Sequence, residues 1–262
     1  MSRIGEKFTE LKSTGSRGFI PFITAADPDI ANTELLLIEL ARAGADIIEL
    51  GVPFSDPVAD GEVIQRASQR ALRNGVTLSH ALDCAARARS RIGTPMVLFS
   101  YFNPLLQFGE ERLACEAKAA GIDGVLVTDL IPEEAQSWIE RLYQNDLDPI
   151  FLVAPTTTDE RLAHIAQRAR GFIYAISRTG VTGTRDALTR DAEELVRRIR
   201  AVSDLPVAVG FGVSTSEQVK EVWRFADAAV IGSAIVNEIE RLNDAADLVS
   251  RIADFARSLS AK

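Results

Sequence analysis

The chain has 262 residues, 47% of them hydrophobic, with 37 acidic against 29 basic side chains and a formal charge of −8. That apolar share supplies a sizeable core and excludes extended disorder, and an acidic chain without a basic block is a poor match for nucleic acid. The opening MSRIGEKFTELKSTG lacks the apolar stretch of a signal peptide, and no apolar run approaches the ~18 residues of a membrane helix, so a cytoplasmic protein is expected, off the membrane.

Taken in chain order, an N-terminal helical segment precedes the first β-branched run, GFIPFIT (18–24). DIIELG (46–51) follows, and then a long connection, 52–94, that holds a loop and two helical patterns, EVIQRASQRALRNG and LSHALDCAARARSRI. Further runs are PMVLFSY (95–101), GVLVTD (124–129), PIFLVA (149–154) and GFIYAIS (171–177). A polar, glycine-punctuated stretch, RTGVTGTRDALTRD (178–191), then leads to PVAVGFG (206–212) and AAVIGS (228–233), with more helix at the C-terminus.

Runs that are apolar at nearly every position suit parallel strands covered on both faces. The strings ARAGADIIEL, AKAAGIDGVLV and RFADAAVIG echo one another as helix end, Ala/Gly/Asp turn and strand. Eight such β-then-α units predict an α/β fold, a single-domain (β/α)8 TIM barrel over residues 1–262, with an extra N-terminal helix and inserted helices after strands 2 and 8. A doubly wound sheet is the alternative, since closure leaves no mark in a sequence. No Pro-, Gly- or Ser-rich linker divides the chain. The two long connections, after strands two and six, would both emerge at the C-terminal face, where barrels build active sites.

Within DIIELG, Glu49 places a carboxylate on a buried run, which is costly unless it is paired, protonated or used. It is either a proton shuttle with a raised pKa or a structural acid bonded to a neighbouring strand. Asp60, eleven residues on in a Pro/Gly/Asp-rich loop, is either an ionised acceptor for a substrate N–H or the cap of the helix that starts near GEVIQRA. Two carboxylates in unlike surroundings can divide acid and base roles. Tyr174 on strand six is a third candidate, with an aromatic core position as its plain alternative. GFG (210–212) and IGSAIV (231–236) end the last two strands with glycines, and Ser233 offers a hydroxyl; this suits a phosphate, or merely tight turns and a helix cap.

Other chemistries lack their residues. The five lysines, Lys7, Lys12, Lys118, Lys220 and Lys262, fall in helical or terminal stretches, so no strand end offers a Schiff-base amine. His80 and His164 are isolated and Cys84 and Cys115 have no metal spacing, so no metal site is expected and the thiols read as structural in a reducing compartment.

The strings PFITAADPD, IELGVPFSDPVADG, FNPLLQFG, SRTGVTG, VGFGVS and IGSAIV, in this order from about Phe19 to Val236, resemble the tryptophan synthase α subunit family. The resemblance implies retro-aldol cleavage of indole-3-glycerol phosphate to indole and glyceraldehyde 3-phosphate, late in tryptophan biosynthesis, by a lyase. Glu49 matches the family's catalytic glutamate, Asp60 its aspartate and Tyr174 its active-site tyrosine. Gly183, Gly212, Gly232 and Ser233 are implied phosphate ligands, and Phe22, Phe99, Tyr101 and Phe211 an indole pocket. Arg178 and Thr182 match the closing loop after strand six. The sequence departs from the family at Glu62, where proline is common, and at Phe99, where some members have leucine. No cofactor is implied in this chain; pyridoxal phosphate is expected in a partner β subunit, within an α2β2 complex, docked on SDPV (55–58), FNPLLQ (102–107) and DLIPEE (129–134). Two other functions remain open: a different phosphate-binding barrel enzyme such as a phosphosugar isomerase, or a non-catalytic activator of a β subunit.

Overall fold

Each of the eight apolar runs forms a strand in the computed structural model, which describes residues 2–176, 185–210 and 212–260. The strands are β1 (Gly18–Thr24), β2 (Ile48–Gly51), β3 (Met96–Ser100), β4 (Gly124–Val127), β5 (Asp148–Val153), β6 (Ile173–Ile176), β7 (Val207–Gly210) and β8 (Ala228–Ile231). All pair in parallel in sequence order, and β8 returns to β1, so the sheet is a closed barrel and the doubly wound alternative is overturned.

The helices are α1 (Arg3–Ser13), α2 (Ile30–Arg42), α3 (Glu62–Arg73), α4 (Leu78–Arg89), α5 (Phe102–Phe108), α6 (Glu110–Ala119), α7 (Gln136–Gln144), α8 (Asp159–Arg168), α9 (Arg185–Arg200), α10 (Ser216–Val222), α11 (Ser233–Arg241) and α12 (Leu248–Leu259). The N-terminal helix and the extra helices after β2 and β8 are present as expected. Two features depart from expectation. The stretch predicted as loop to residue 191 turns helical at Arg185, where Ala187 and Leu188 are good helix formers. A further helix, α5, follows β3: Pro104 sits in its first turn, where its missing N–H costs nothing, and Gly109, at φ +94, ends it.

Strand alternation sorts two cores. Ile20, Ile47, Val97, Leu126, Ile150, Phe172 and Val230 fill the barrel, while Phe19, Ile23, Ile48 and Leu98 face the helices. Helix α1 closes the barrel floor with Ile4, Phe8 and Leu11, spaced along one face; the Phe8 ring lies 5.8 Å from that of Phe172. Burying a side chain of this size contributes about 2 kcal/mol.

The repeated Ala/Gly/Asp turn has a physical role at this floor. Asp46 accepts the N–H of Phe19 at 2.8 Å, Asp123 that of Met96 at 2.9 Å and Asp227 that of Val207 at 2.9 Å. Each turn's aspartate thus ties down the start of the preceding strand. These acids have partners, which sets them apart from the carboxylate at the opposite end of the barrel.

Candidate active site

In β2, Ile48 and Leu50 point outward, so the alternate position, Glu49, points inward. Its backbone registers with Phe22 on β1 and Val97 on β3. The side chain is 1% exposed, and its Oε1 has no hydrogen-bond partner among the described residues. The structural alternative, a carboxylate bonded to a neighbouring strand or hydroxyl, is therefore not what the described residues display. Burial without compensation raises its pKa to about 8, because the charged form loses hydration and gains nothing in return. Glu49 is protonated at neutral pH.

Asp60 lies on the loop after β2 and is half-buried. The cap of α3 is Gly61, with no side-chain cap bond, so Asp60 is free of the capping role that its position suggested. Burial raises its carboxyl pKa to about 6 against the lowering effect of a hydrogen bond from Tyr101. The two acids consequently differ at pH 7: Glu49 neutral, Asp60 ionised.

Both line one cavity of about 90 Å³ at the C-terminal ends of the strands, together with Phe22, Phe99, Tyr174, Gly212, Gly232 and Ser233. Phe22 and Phe99 meet edge to face with centroids 5.2 Å apart, and give the cavity an aromatic wall. Tyr174 is 8% exposed; burial and then the charges of Glu49 and Asp60 hold its hydroxyl well above the ordinary phenol range, so it stays protonated. It is both an inner-core aromatic and a cavity residue. Gly210 makes room for it: a Cβ there would lie 2.2 Å from the Tyr174 hydroxyl.

Gly212, at φ +78, turns the chain out of β7 in a conformation that disfavours a side chain. Gly232 is the N-cap of α11 and Ser233 its first residue, with no side-chain cap bond, so the serine is not the helix cap that the sequence allowed. Backbone N–H groups at this helix start, beside two glycines, form a suitable anion cradle. Arg178, Thr182, Gly183 and Phe211 lie outside the described residues.

Tyr101 differs from expectation. It does not line the cavity but stands behind the Asp60 loop, 2% exposed, its ring 5.2 Å from that of Phe54. Its hydroxyl accepts the Ala59 N–H at 2.9 Å and shares hydrogen bonds with Asp60 and Thr128. Residues without a predicted role complete the wall: Ala59, Ile64, Thr128, Leu152, Ile176 and Val230. Thr128, Leu152 and Ile176 fall at or near strand ends of the mouth, so barrel geometry is the signal that identifies them. Glu62, where proline was the alternative, is exposed in the first turn of α3, where an acid complements the helix dipole.

A wider crevice of about 930 Å³ lies at the other end of the barrel, beneath α1. Its buried acids have partners: Asp123 with Arg3 at 2.8 Å, and Asp148 with Ser2. The buried carboxyl oxygen without a partner among the described residues, Glu49 Oε1, is at the mouth instead. Among the described residues no group of His, Cys, Asp and Glu is arranged to hold a metal, and no helix is long and apolar enough to cross a membrane. His80 is spent on the N-terminus of α4, where its Nδ1 accepts the Thr77 N–H at 3.2 Å.

The model of the tryptophan synthase alpha chain family matches residues 8–262. The tryptophan synthase alpha chain of Geobacter sulfurreducens is 49% identical over 259 residues, covering 99% of this chain and 98% of the relative. That of Citrifermentans bemidjiense is 47% identical over 259 residues, covering 99% and 97%. Among solved structures, tryptophan synthase subunit alpha from Legionella pneumophila superposes with a TM-score of 0.92 at 36% identity, covering 100% of this chain and 98% of that one. Tryptophan synthase from M. tuberculosis, in an aminoacrylate-bound form, gives 0.89 at 37%, covering 100% and 99%.

Proposed function

The chain belongs to the tryptophan synthase alpha chain family, a lyase that cleaves indole-3-glycerol phosphate to indole and glyceraldehyde 3-phosphate, and from that premise we propose how its residues divide the work. Glu49, protonated at neutral pH, delivers a proton to the ring carbon that bears the side chain. The positive charge that this places on the ring nitrogen faces the Asp60 carboxylate, which accepts the N–H. Glu49, now ionised, removes the proton from the hydroxyl on the adjoining carbon; the carbon–carbon bond breaks, its electrons return to the ring, and an aldehyde leaves. The acid ends as it began, so one carboxyl serves both proton transfers.

The observation that carries this reading is a buried Glu49 whose Oε1 has no partner among the described residues, opening onto the same cavity as an ionisable Asp60. Tyr174 steadies Glu49, and Phe22 and Phe99 stack against the ring. Gly212, Gly232 and Ser233 take the phosphate at the start of α11, joined by Gly183. Tyr101 acts through Asp60 rather than on the ring; Phe211 is assigned to the ring pocket and Arg178 and Thr182 to the loop after β6, all three outside the described residues.

The test is indole release from indole-3-glycerol phosphate, with and without a β chain. Wild-type protein turns over, Glu49→Gln abolishes cleavage in a folded barrel, and Asp60→Asn lowers it severely. Undiminished turnover in Glu49→Gln would remove its role.

An alpha chain implies a companion, and in this family the pyridoxal phosphate belongs to the beta chain. Val58, Leu106 and Ile131 are large apolar residues exposed by 85%, 51% and 38%, on the loop 55–58, on α5 and on the loop 129–134, which follow β2, β3 and β4. Apolar groups so exposed on one face mark it for a protein partner. We assign that face to a β chain in an α2β2 assembly, in the cytoplasm, where an exposed Cys115 stays reduced. Sedimentation of the mixed chains, with Val58→Asp as the interfering variant, measures both docking and stoichiometry.

A further inference from the structure

Helix α3 starts directly after Asp60, and α11 starts at the Gly232–Ser233 turn. The two pack against each other and against β1 through Ile64, Ala67 and Val236 around Phe22. Near their far ends one arginine joins all three elements. Arg70 on α3 places its Nε and Nη2 on the two oxygens of Asp27, at 2.7 and 2.8 Å, in a two-pronged pair with a residue just beyond β1 that is 1% exposed. Its remaining Nη1 reaches Glu240 of α11 at 2.6 Å. Arg66, one turn earlier, grips the same Glu240 at 2.8 Å. Asn74 adds a bond to the Pro28 carbonyl at 3.0 Å.

A planar guanidinium held on three sides fixes direction as well as distance, which an ammonium cannot do. We infer that Arg70 is a positioning residue: by clamping α3 to β1 and α11, it sets the span between Asp60 and the Gly232–Ser233 turn. Resting on the proposed roles of Asp60 and Ser233, this makes the clamp the element that matches the site to the distance between the substrate's ring and its phosphate. Residues that hold two binding points at a set separation act on the joined substrate far more than on its halves.

The test uses the full chain with its β chain and three probes: indole-3-glycerol phosphate, indole, and glycerol 3-phosphate. In Arg70→Met, kcat/KM for the joined substrate falls about tenfold to a hundredfold, while each half binds within about twofold of wild type. Arg70→Lys does not restore it, since one point charge cannot replace the fork. Because Arg70→Met leaves Asp27 buried and unpaired, Glu240→Met is the second variant; it cuts only the tie to α11 and gives the same pattern, weaker. Unchanged kcat/KM in folded Glu240→Met, or an equal loss for the halves and the whole, overturns the inference. Asp60→Asn with normal turnover is a separate result, one that removes the underlying reading of the site.

Discussion

Glu49→Gln tests the proposed chemistry through stability rather than turnover. The native carboxyl titrates at about 8, whereas the unfolded chain's is near the ordinary 4.5. Between those values the native state holds a proton that the unfolded state has released, so raising the pH favours unfolding, by about 1.4 kcal/mol per pH unit. At pH 7.5 the accumulated penalty is on the order of 4 kcal/mol, and it levels off above pH 8. Glutamine has nearly the same shape and no proton to lose. The variant is therefore inactive yet more stable at pH 7.5, by roughly 8 °C in Tm for a chain of this size, with the gain shrinking toward pH 5. A buried amide adds an offset of about 1 to 3 kcal/mol that does not vary with pH. Thermal melts of both proteins at pH 5, 6, 7 and 8 isolate the slope. Parallel curves, with a gap independent of pH, would show that Glu49 titrates at its ordinary value and would refute the neutral-acid argument.

Turnover should follow a bell in kcat/KM, rising through about pH 6 as Asp60 ionises and falling through about pH 8 as free Glu49 loses its proton. Tyr101→Phe removes a hydrogen bond that lowers the Asp60 pKa, so the acid limb of that profile moves to higher pH. Gly210→Ala drives a methyl into the Tyr174 hydroxyl and should lower kcat strongly; in a Tyr174→Phe background the same change costs less, because the nearest clashing atom is gone. Kinetics of the two single variants and the double variant give the coupling, and a strictly additive loss would count against the contact.

The fold was legible because its cause is local. Eight apolar runs at regular spacing need cover on both faces, and only a parallel sheet wrapped by helices supplies it. The echoing Ala/Gly/Asp turns marked the units, and the structure gives the reason in the aspartates that secure neighbouring strands. Helix α5 escaped notice because its seven residues carry proline and are too few to display a period.

At the site, the sequence alone placed Glu49 on a strand and Asp60 on a loop, and left each with a structural alternative. Tertiary structure bears on those structural alternatives. Only closure of the barrel shows that no group among the described residues bonds Glu49 Oε1, and only the helix boundary at Gly61 removes capping from Asp60. Tyr101 moved from the pocket wall to the support of a loop, because where a hydroxyl points depends on a residue 42 positions away in the chain. The Arg70 clamp was beyond any sequence argument: its two partners, Asp27 and Glu240, lie 43 and 170 positions away, and only folding joins them. Composition and periodicity fix which residues must be buried; which buried acid finds a partner is settled by packing, and that difference separates the paired acids of the floor from Glu49 at the mouth.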